Sequence, residues 1–161
     1  MDNVCIQDQL QPSWHRCFGC GRDNGAGLKI RSFWDGDDIV CTWQPGEHPA
    51  MQGADNILNG GVAATLIDCH TAAAAMAHLH RQEHQPIGSE PVIEVVTGSL
   101  KVDFLKPVFM DRPLHMRASL VRQEGRKLWI DCMLSSGKTD AVRGEALYIR
   151  VAGRPAPPPL D

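Results

Sequence analysis

Apolar and polar positions alternate over long stretches in the C-terminal half of the chain. Leu114, Met116, Ala118 and Leu120 fall on every second residue, and Leu128, Ile130, Cys132 and Leu134 repeat the pattern. A period of two puts such side chains on one face of a half-buried strand, so strands are predicted over 92–105, 113–123, 127–136 and 140–151. Turn residues separate them: Pro107 to Pro113, Glu124-Gly125 and Ser136-Gly137. Nearer the N-terminus, Leu28, Ile30 and Ser32 to Trp34, then Ile39 to Trp43, flank Asp35-Gly36 and predict a hairpin.

Between these regions the pattern changes. Residues from about 59 to 82 are mostly apolar, contain no proline and open on Gly60-Gly61, which predicts one central helix ending before Pro86. A single apolar helix followed by a meander of long strands predicts an α+β arrangement, with an antiparallel sheet curled around the helix. The first dozen residues are polar and unpatterned, and the last, Arg154-Pro-Ala-Pro-Pro-Pro-Leu-Asp, lack donors for a sheet ladder. A loose segment 1–14, one domain over 15–152 and a disordered proline-rich tail over 153–161 are therefore expected.

Composition narrows the picture in three ways. At 161 residues and 43% hydrophobic content the chain suits one domain with a real core. The uninterrupted apolar runs fall short of the roughly 20 residues a membrane span needs, and Met1-Asp-Asn-Val-Cys-Ile-Gln-Asp has no basic and apolar leader pattern. No membrane partner and a cytoplasmic location are expected. Six cysteines without an export signal read as reduced thiols, with Cys41, Cys69 and Cys132 as small core residues. A net charge of −3 argues against nucleic acid as a partner. An anionic ligand then needs a local basic patch, and Arg122, Arg126 and Lys127 around one turn, or Lys106 and Arg112 near another, would supply it.

The candidate chemistry lies on the helix. Asp68 is the single carboxylate among Val62, Leu66, Ile67 and Met76. An ionised carboxylate is costly to bury without a partner, so it is either satisfied by hydrogen bonds or used. Gly60 and Gly61 leave helix-entry N–H groups uncovered at the positive end of the helix dipole, a setting suited to an oxygen that develops negative charge.

Asn59-Gly-Gly-Val-x-x-Thr-Leu-Ile-Asp68 resembles the His-Gly-Gly-x-x-x-Thr-Leu-x-Asp signature of hotdog-fold acyl-CoA thioesterases, the PaaI-like branch of the thioesterase superfamily. Three further blocks carry the resemblance, in order, over about residues 15 to 150: Cys17-Phe-Gly-Cys20-Gly21-Arg-Asp-Asn24-Gly-Ala-Gly27-Leu28 leading to His48-Pro-Ala-Met-Gln52-Gly53, then Ser99-Leu-Lys-Val-Asp-Phe104-Leu-Lys-Pro107-Val, then Gly125-Arg126-Lys127-Leu128. The resemblance implies a hotdog fold and hydrolysis of an acyl-CoA to free acid and CoA without a cofactor. It implies Asp68 as nucleophile or general base, Gly60 N–H as donor to the thioester oxygen, with Gly61 beside it, and Thr97 as the residue that positions water. Asn59 departs from the family histidine, and an amide cannot shuttle a proton. In the family resembled, some members carry Asn or Gln where Gly53 stands, and Gln52 or Asn56 would substitute for it. On this reading Arg122, Arg126 and Lys127 hold CoA phosphates, and the acyl group enters near Met51, Ile57 and Met76.

Spacing adds an assembly. Eight residues at 1.5 Å rise separate Gly60 and Asp68 by about 12 Å, too far for both to act on one carbonyl. Two antiparallel copies of the helix would bring Gly60 of one chain to Asp68 of the other, so a homodimer, or a dimer of dimers, is expected. A non-catalytic acyl-CoA-binding module is the rival reading, supported by Asn59. Hydratase chemistry is weaker, because hotdog hydratases usually bring an Asp-His pair.

No metal site is expected. Cys17-x-x-Cys20 is half of a zinc motif with only His15 nearby, and reads as a turn. His80-Arg-Gln-Glu83-His84 spells an inverted zinc-protease motif, but it falls at a helix end before Pro86.

Overall fold

The computed structural model describes residues 4–152, so the expected tail over 153–161 lies outside the described residues. The hairpin forms from β1 (Phe33–Asp35) and β2 (Asp38–Trp43), turning at Gly36 with φ 66°. The four long strands are β3 (Glu94–Phe104), β4 (Leu114–Glu124), β5 (Lys127–Ser136) and β6 (Thr139–Val151). All pairs are antiparallel, and the order is β1-β2-β4-β5-β6-β3. The expected meander β4-β5-β6 is continuous, whereas β3 crosses to the far side and becomes an edge strand.

The long helix spans Gly60–Gln82 and packs against β2 through β6. The alternating apolar positions meet it: Leu114, Met116, Leu128, Ile130, Cys132 and Leu134 are all at most 2% exposed. Helix and sheet approach so closely at Gly144 that a Cβ there would lie 2.4 Å from Ile67 Cγ2. Burial along the helix is uneven. Positions 70, 71 and 73–80 are buried, while Gly60 and Gly61 are exposed and Asp68 and Cys69 are half-buried. The membrane expectation needs a correction of reason: by length and composition this helix is long and apolar enough to span a bilayer, but 72% of its most apolar window is buried inside the fold. An all-round apolar surface here reflects enclosure by the sheet.

The first dozen residues are not loose where they are described. A short helix, α1 (Ile6–Gln9), packs Ile6 at 0% exposure, and Leu10 is also buried; the long helix is α2 accordingly. A buried polar chain holds the segment. Gln7 Nε2 donates to Ser32 Oγ at 2.7 Å, while Ser32 N–H donates to Gln7 Oε1 at 2.7 Å. Ser32 Oγ lies 2.8 Å from His70 Nδ1, and His70 Nε2 lies 3.1 Å from the Ile39 carbonyl. A carbonyl only accepts, so Nε2 carries the proton and Nδ1 accepts from Ser32. The sequence pattern missed this because polar residues that satisfy one another inside a core leave no periodicity.

His70 is fully buried and neutral, and burial pushes its pKa down to about 4. The unfolded histidine titrates near 6.5, so below that pH the unfolded chain binds the proton first and stability falls, by about 3 kcal/mol once pH reaches ~4. Urea midpoints measured from neutral pH downwards should show this decline. It should be shallower in His70→Asn, though not flat, since burial also lowers His78 and His80. Parallel profiles for the two proteins would remove His70 as a source.

Candidate active site

Asn59 caps α2. Its Oδ1 accepts from Gly61 N–H at 2.8 Å and Val62 N–H at 3.3 Å. This is the ordinary work of an N-cap asparagine, and it explains how an amide fits where the resembled signature has histidine. Gly61 is thereby committed to the cap. Gly60 N–H is the first-turn donor left without an acceptor among the described residues, and Gly60 itself is exposed beside the Phe104 ring.

Two turns on, Asp68 Oδ1 accepts from Thr97 Oγ1 at 3.0 Å and from Tyr148 OH at 2.9 Å. The two donors are cross-strand partners on β3 and β6, and the β3 register shifts between Thr97 and Ser99, a bulge of the kind that re-aims a side chain. Tyr148 OH also lies 2.7 Å from the Asp68 carbonyl and 2.9 Å from Thr71 Oγ1. Burial, reinforced by the Asp68 charge, pushes the Tyr148 pKa up, so the phenol keeps its proton and donates it. Both donors converge on Oδ1. Among the described residues Oδ2 has no partner, which leaves one carboxylate oxygen to act on a bound molecule.

Sequence reasoning named Thr97, which the structure sets on Asp68 Oδ1, and missed Tyr148. A signal was present: it is the chain's only tyrosine, inward on an apolar strand face where a buried hydroxyl needs a partner. Tyr148→Phe should lower turnover about tenfold and cost about 1–2 kcal/mol, because it strips a donor from Asp68 and leaves Thr71 Oγ1 with one partner fewer. Steady-state kinetics and urea melts check both. Unchanged turnover with the stability loss intact would make Tyr148 purely structural.

Asp68 borders a cavity of about 220 Å³, whose other walls include Leu10, Trp14, Met76, Val95 and the thiols of Cys17, Cys20 and Cys69. Cys41 and Cys132 are core residues as expected, but Cys69 is not. It is half-buried, with Sγ 3.7 Å from Cys17 Sγ. Hydrogen bonds from the Cys20 and then the Cys69 thiol lower the Cys17 pKa, and the same contacts with Cys17 raise those of Cys20 and Cys69. A separate open groove lies at the other end of this helix face, lined by Ile57, Gly60, Phe104, Leu105 and Val108.

The family model described as thioesterase superfamily matches residues 55–142, more than half of the chain, and takes in α2 with Gly60 and Asp68, and β3 with Thr97. The chain belongs to the thioesterase superfamily. It is 29% identical over 150 residues to acyl-coenzyme A thioesterase THEM4 of Rattus norvegicus, covering 91% of this chain and 58% of the relative. The Bos taurus THEM4 gives 29% over 150 residues, with 91% and 56% covered. The chain thus spans little more than half the length of these curated relatives. Among solved structures, a thioesterase superfamily protein from Shewanella loihica has a TM-score of 0.60 at 26% identity, covering 76% of this chain and 90% of that one. The PaaI protein of E. coli, from a phenylacetic acid degradation operon, has a TM-score of 0.62 at 19% identity, covering 78% and 82%. The antiparallel sheet around one long helix is the hotdog fold that the motifs led us to expect.

Within this superfamily framework the expected acyl-binding residues separate. Met76 lines the Asp68 cavity, Ile57 lines the groove at Gly60, and Met51 packs partly buried against the core. They do not form one pocket in a single chain, because Gly60 and Asp68 sit two helical turns apart. Gln52 and Asn56 are used locally: Gln52 Oε1 accepts from Asn56 N–H, and Asn56 Nδ2 reaches Asp111 at 3.3 Å. Of the basic residues, Arg122 pairs with Glu124 at 2.7 Å and stacks on Trp129, and Arg112 pairs with Asp111 at 2.7 Å. Arg126 and Lys127 have no carboxylate partner among the described residues. Their turn is at the Tyr148 end of the sheet, since Lys127 opposes Ile149 and Leu128 opposes Tyr148. At the end of α2, Glu83 ion-pairs with Arg150 and His80 Nδ1 meets Gln85, so the inverted zinc-protease pattern is occupied by structural contacts.

Proposed function

We propose that this chain is an acyl-CoA thioesterase that works as a homodimer, with Asp68 as general base. The observation that carries the reading is the carboxylate itself: Thr97 and Tyr148 fix Oδ1 at the mouth of an apolar cavity and leave Oδ2 for water. In the proposed reaction Oδ2 takes a proton from water as the water oxygen bonds to the thioester carbon. The carbonyl oxygen becomes an oxyanion and takes the free Gly60 N–H of the second chain, at the positive helix end. Collapse of that intermediate breaks the C–S bond, and the CoA thiolate leaves with the proton held by Asp68.

The dimer is supported by what one chain leaves uncovered. β3 is an 11-residue edge strand, and Val96 and Phe104 on it and Leu105 just after it are 38%, 57% and 54% exposed. A long edge strand next to the exposed, apolar start of α2 offers a face to a second copy. Antiparallel docking there would join the groove at Gly60 to the cavity at Asp68 and reunite Ile57 with Met76. Arg126 and Lys127, on the turn at that end of the sheet, would receive CoA phosphates. The free state of all six cysteines suits a reducing compartment, the cytoplasm in this proposal.

The test is free-thiol release from a panel of short, long, aromatic and hydroxylated acyl-CoAs. Turnover of one class above the Asp68→Asn background is expected. Binding of acyl-CoA with no thiol released from any would favour the non-catalytic module instead, but the one feature supporting that rival, Asn59, is accounted for by its cap.

A further inference from the structure

We propose that Cys17, Cys20 and Cys69 bind one zinc ion as three thiolates, with the fourth position taken by water from the cavity they border. The three Sγ atoms all lie within 4.8 Å of one another. Tetrahedral zinc–thiolate bonds of about 2.3 Å set neighbouring sulfurs about 3.8 Å apart. Cys17 and Cys69 already stand at that spacing, 3.7 Å, and the remaining pairs need at most about 1 Å of side-chain adjustment to reach it. The spacing is that of ligands on a single ion. A multi-iron cluster carries its cysteines on different metal atoms and spreads them farther.

The backbone is shaped for the same arrangement. In Cys17-Phe-Gly-Cys20-Gly21 the Gly21 N–H closes the turn onto the Cys17 carbonyl at 2.9 Å, which holds Cys17 and Cys20 on one tight turn. The turn touches α2 at Gly19, where a Cβ would sit 2.2 Å from Cys69 Sγ. Any side chain there would push Cys69 away from the pair. Cys69 is the ligand that the sequence pattern concealed, since it lies 52 residues on, inside an apolar helix.

Soft thiolates in a tetrahedral set select zinc over harder divalent ions. Uptake balances as Zn²⁺ plus three thiols giving a zinc trithiolate and three released protons. Its effect is mechanical: it ties the 15–28 segment, which brings Cys17 and Cys20 to the cavity wall, to the helix residue next to Asp68. The claim does not depend on thioester hydrolysis.

The test uses the full, tag-free chain, purified under reducing conditions without chelator. Elemental analysis after zinc loading and desalting should give about one zinc per chain. Cobalt exchange should give the visible bands and near-ultraviolet sulfur-to-cobalt charge transfer of a tetrahedral thiolate site. Zinc should protect Cys17, Cys20 and Cys69 together from alkylation, and its removal should speed proteolysis within 15–28. Cys17→Ser should weaken zinc binding roughly tenfold or more and lower the intensity of the charge-transfer band, while His84→Ala leaves both unchanged. The wild-type measurements stand even if Cys17→Ser misfolds. Only trace zinc in the loaded wild-type chain, zinc lost in His84→Ala but kept in Cys17→Ser, or a resident Cys17–Cys69 disulfide in peptide maps would each overturn the proposal.

Discussion

Asp68→Asn is expected to fold and assemble normally while thioester turnover falls roughly 10²-fold or more. The amide keeps the shape of the carboxylate, and its oxygen can still accept from Thr97 and Tyr148. The lost function is specific: a nitrogen placed where Oδ2 was cannot take a proton from water. Removal of the base alone should leave KM for acyl-CoA little changed, because the proposed CoA contacts and the cavity are untouched. Steady-state thiol release, with circular dichroism and size-exclusion controls, reads all three. Near-normal turnover would take Asp68 out of the mechanism, whatever its hydrogen bonds.

Mixing two inactive variants is expected to restore activity. One parent is Asp68→Asn and the other Gly60→Pro, which deletes the proposed oxyanion donor. The fold favours this second choice: Gly60 is the first residue of α2, a position that proline tolerates, and Asn59 at φ −58°, ψ 132° is already in the extended region required before proline. The nearest obstacle to a side chain is the Phe104 ring, which is itself 57% exposed and free to move. A heterodimer of these parents holds one site with both groups intact and one with neither. Random reassociation gives about half heterodimers, so roughly a quarter of wild-type activity should return. Each parent, taken alone through the same dissociation cycle, is the control. No recovery despite confirmed heterodimers would mean that each site is built within one chain.

The reasons some of this was legible in the chain are local. Alternation at Leu128, Ile130, Cys132 and Leu134 fixes which face of β5 is apolar, whatever lies beside it. The proline-free apolar run fixes α2 to within a residue of its expected start and end. Gly60, Gly61 and Asp68 sit on that one helix, so their spacing, and the conclusion that one chain cannot bring them together, follows from the rise per residue.

What tertiary structure alone decided involves residues whose meeting depends on strand order. Nothing in β6 announces that it lies beside β3, and only that pairing puts Tyr148 across from Thr97 and both on Asp68. Cys69 looks like one more small apolar residue until the 17–20 turn lands on α2. Residues 4–14 look unpatterned until Gln7, Ser32 and His70 satisfy one another in the core. Periodicity records which side of an element avoids water, and it is set by neighbours two to four residues away. A partner 29, 52 or 80 residues distant, as for Asp68 with Thr97, Cys17 with Cys69, and Asp68 with Tyr148, is chosen by the packing of whole elements, and no local pattern carries that choice.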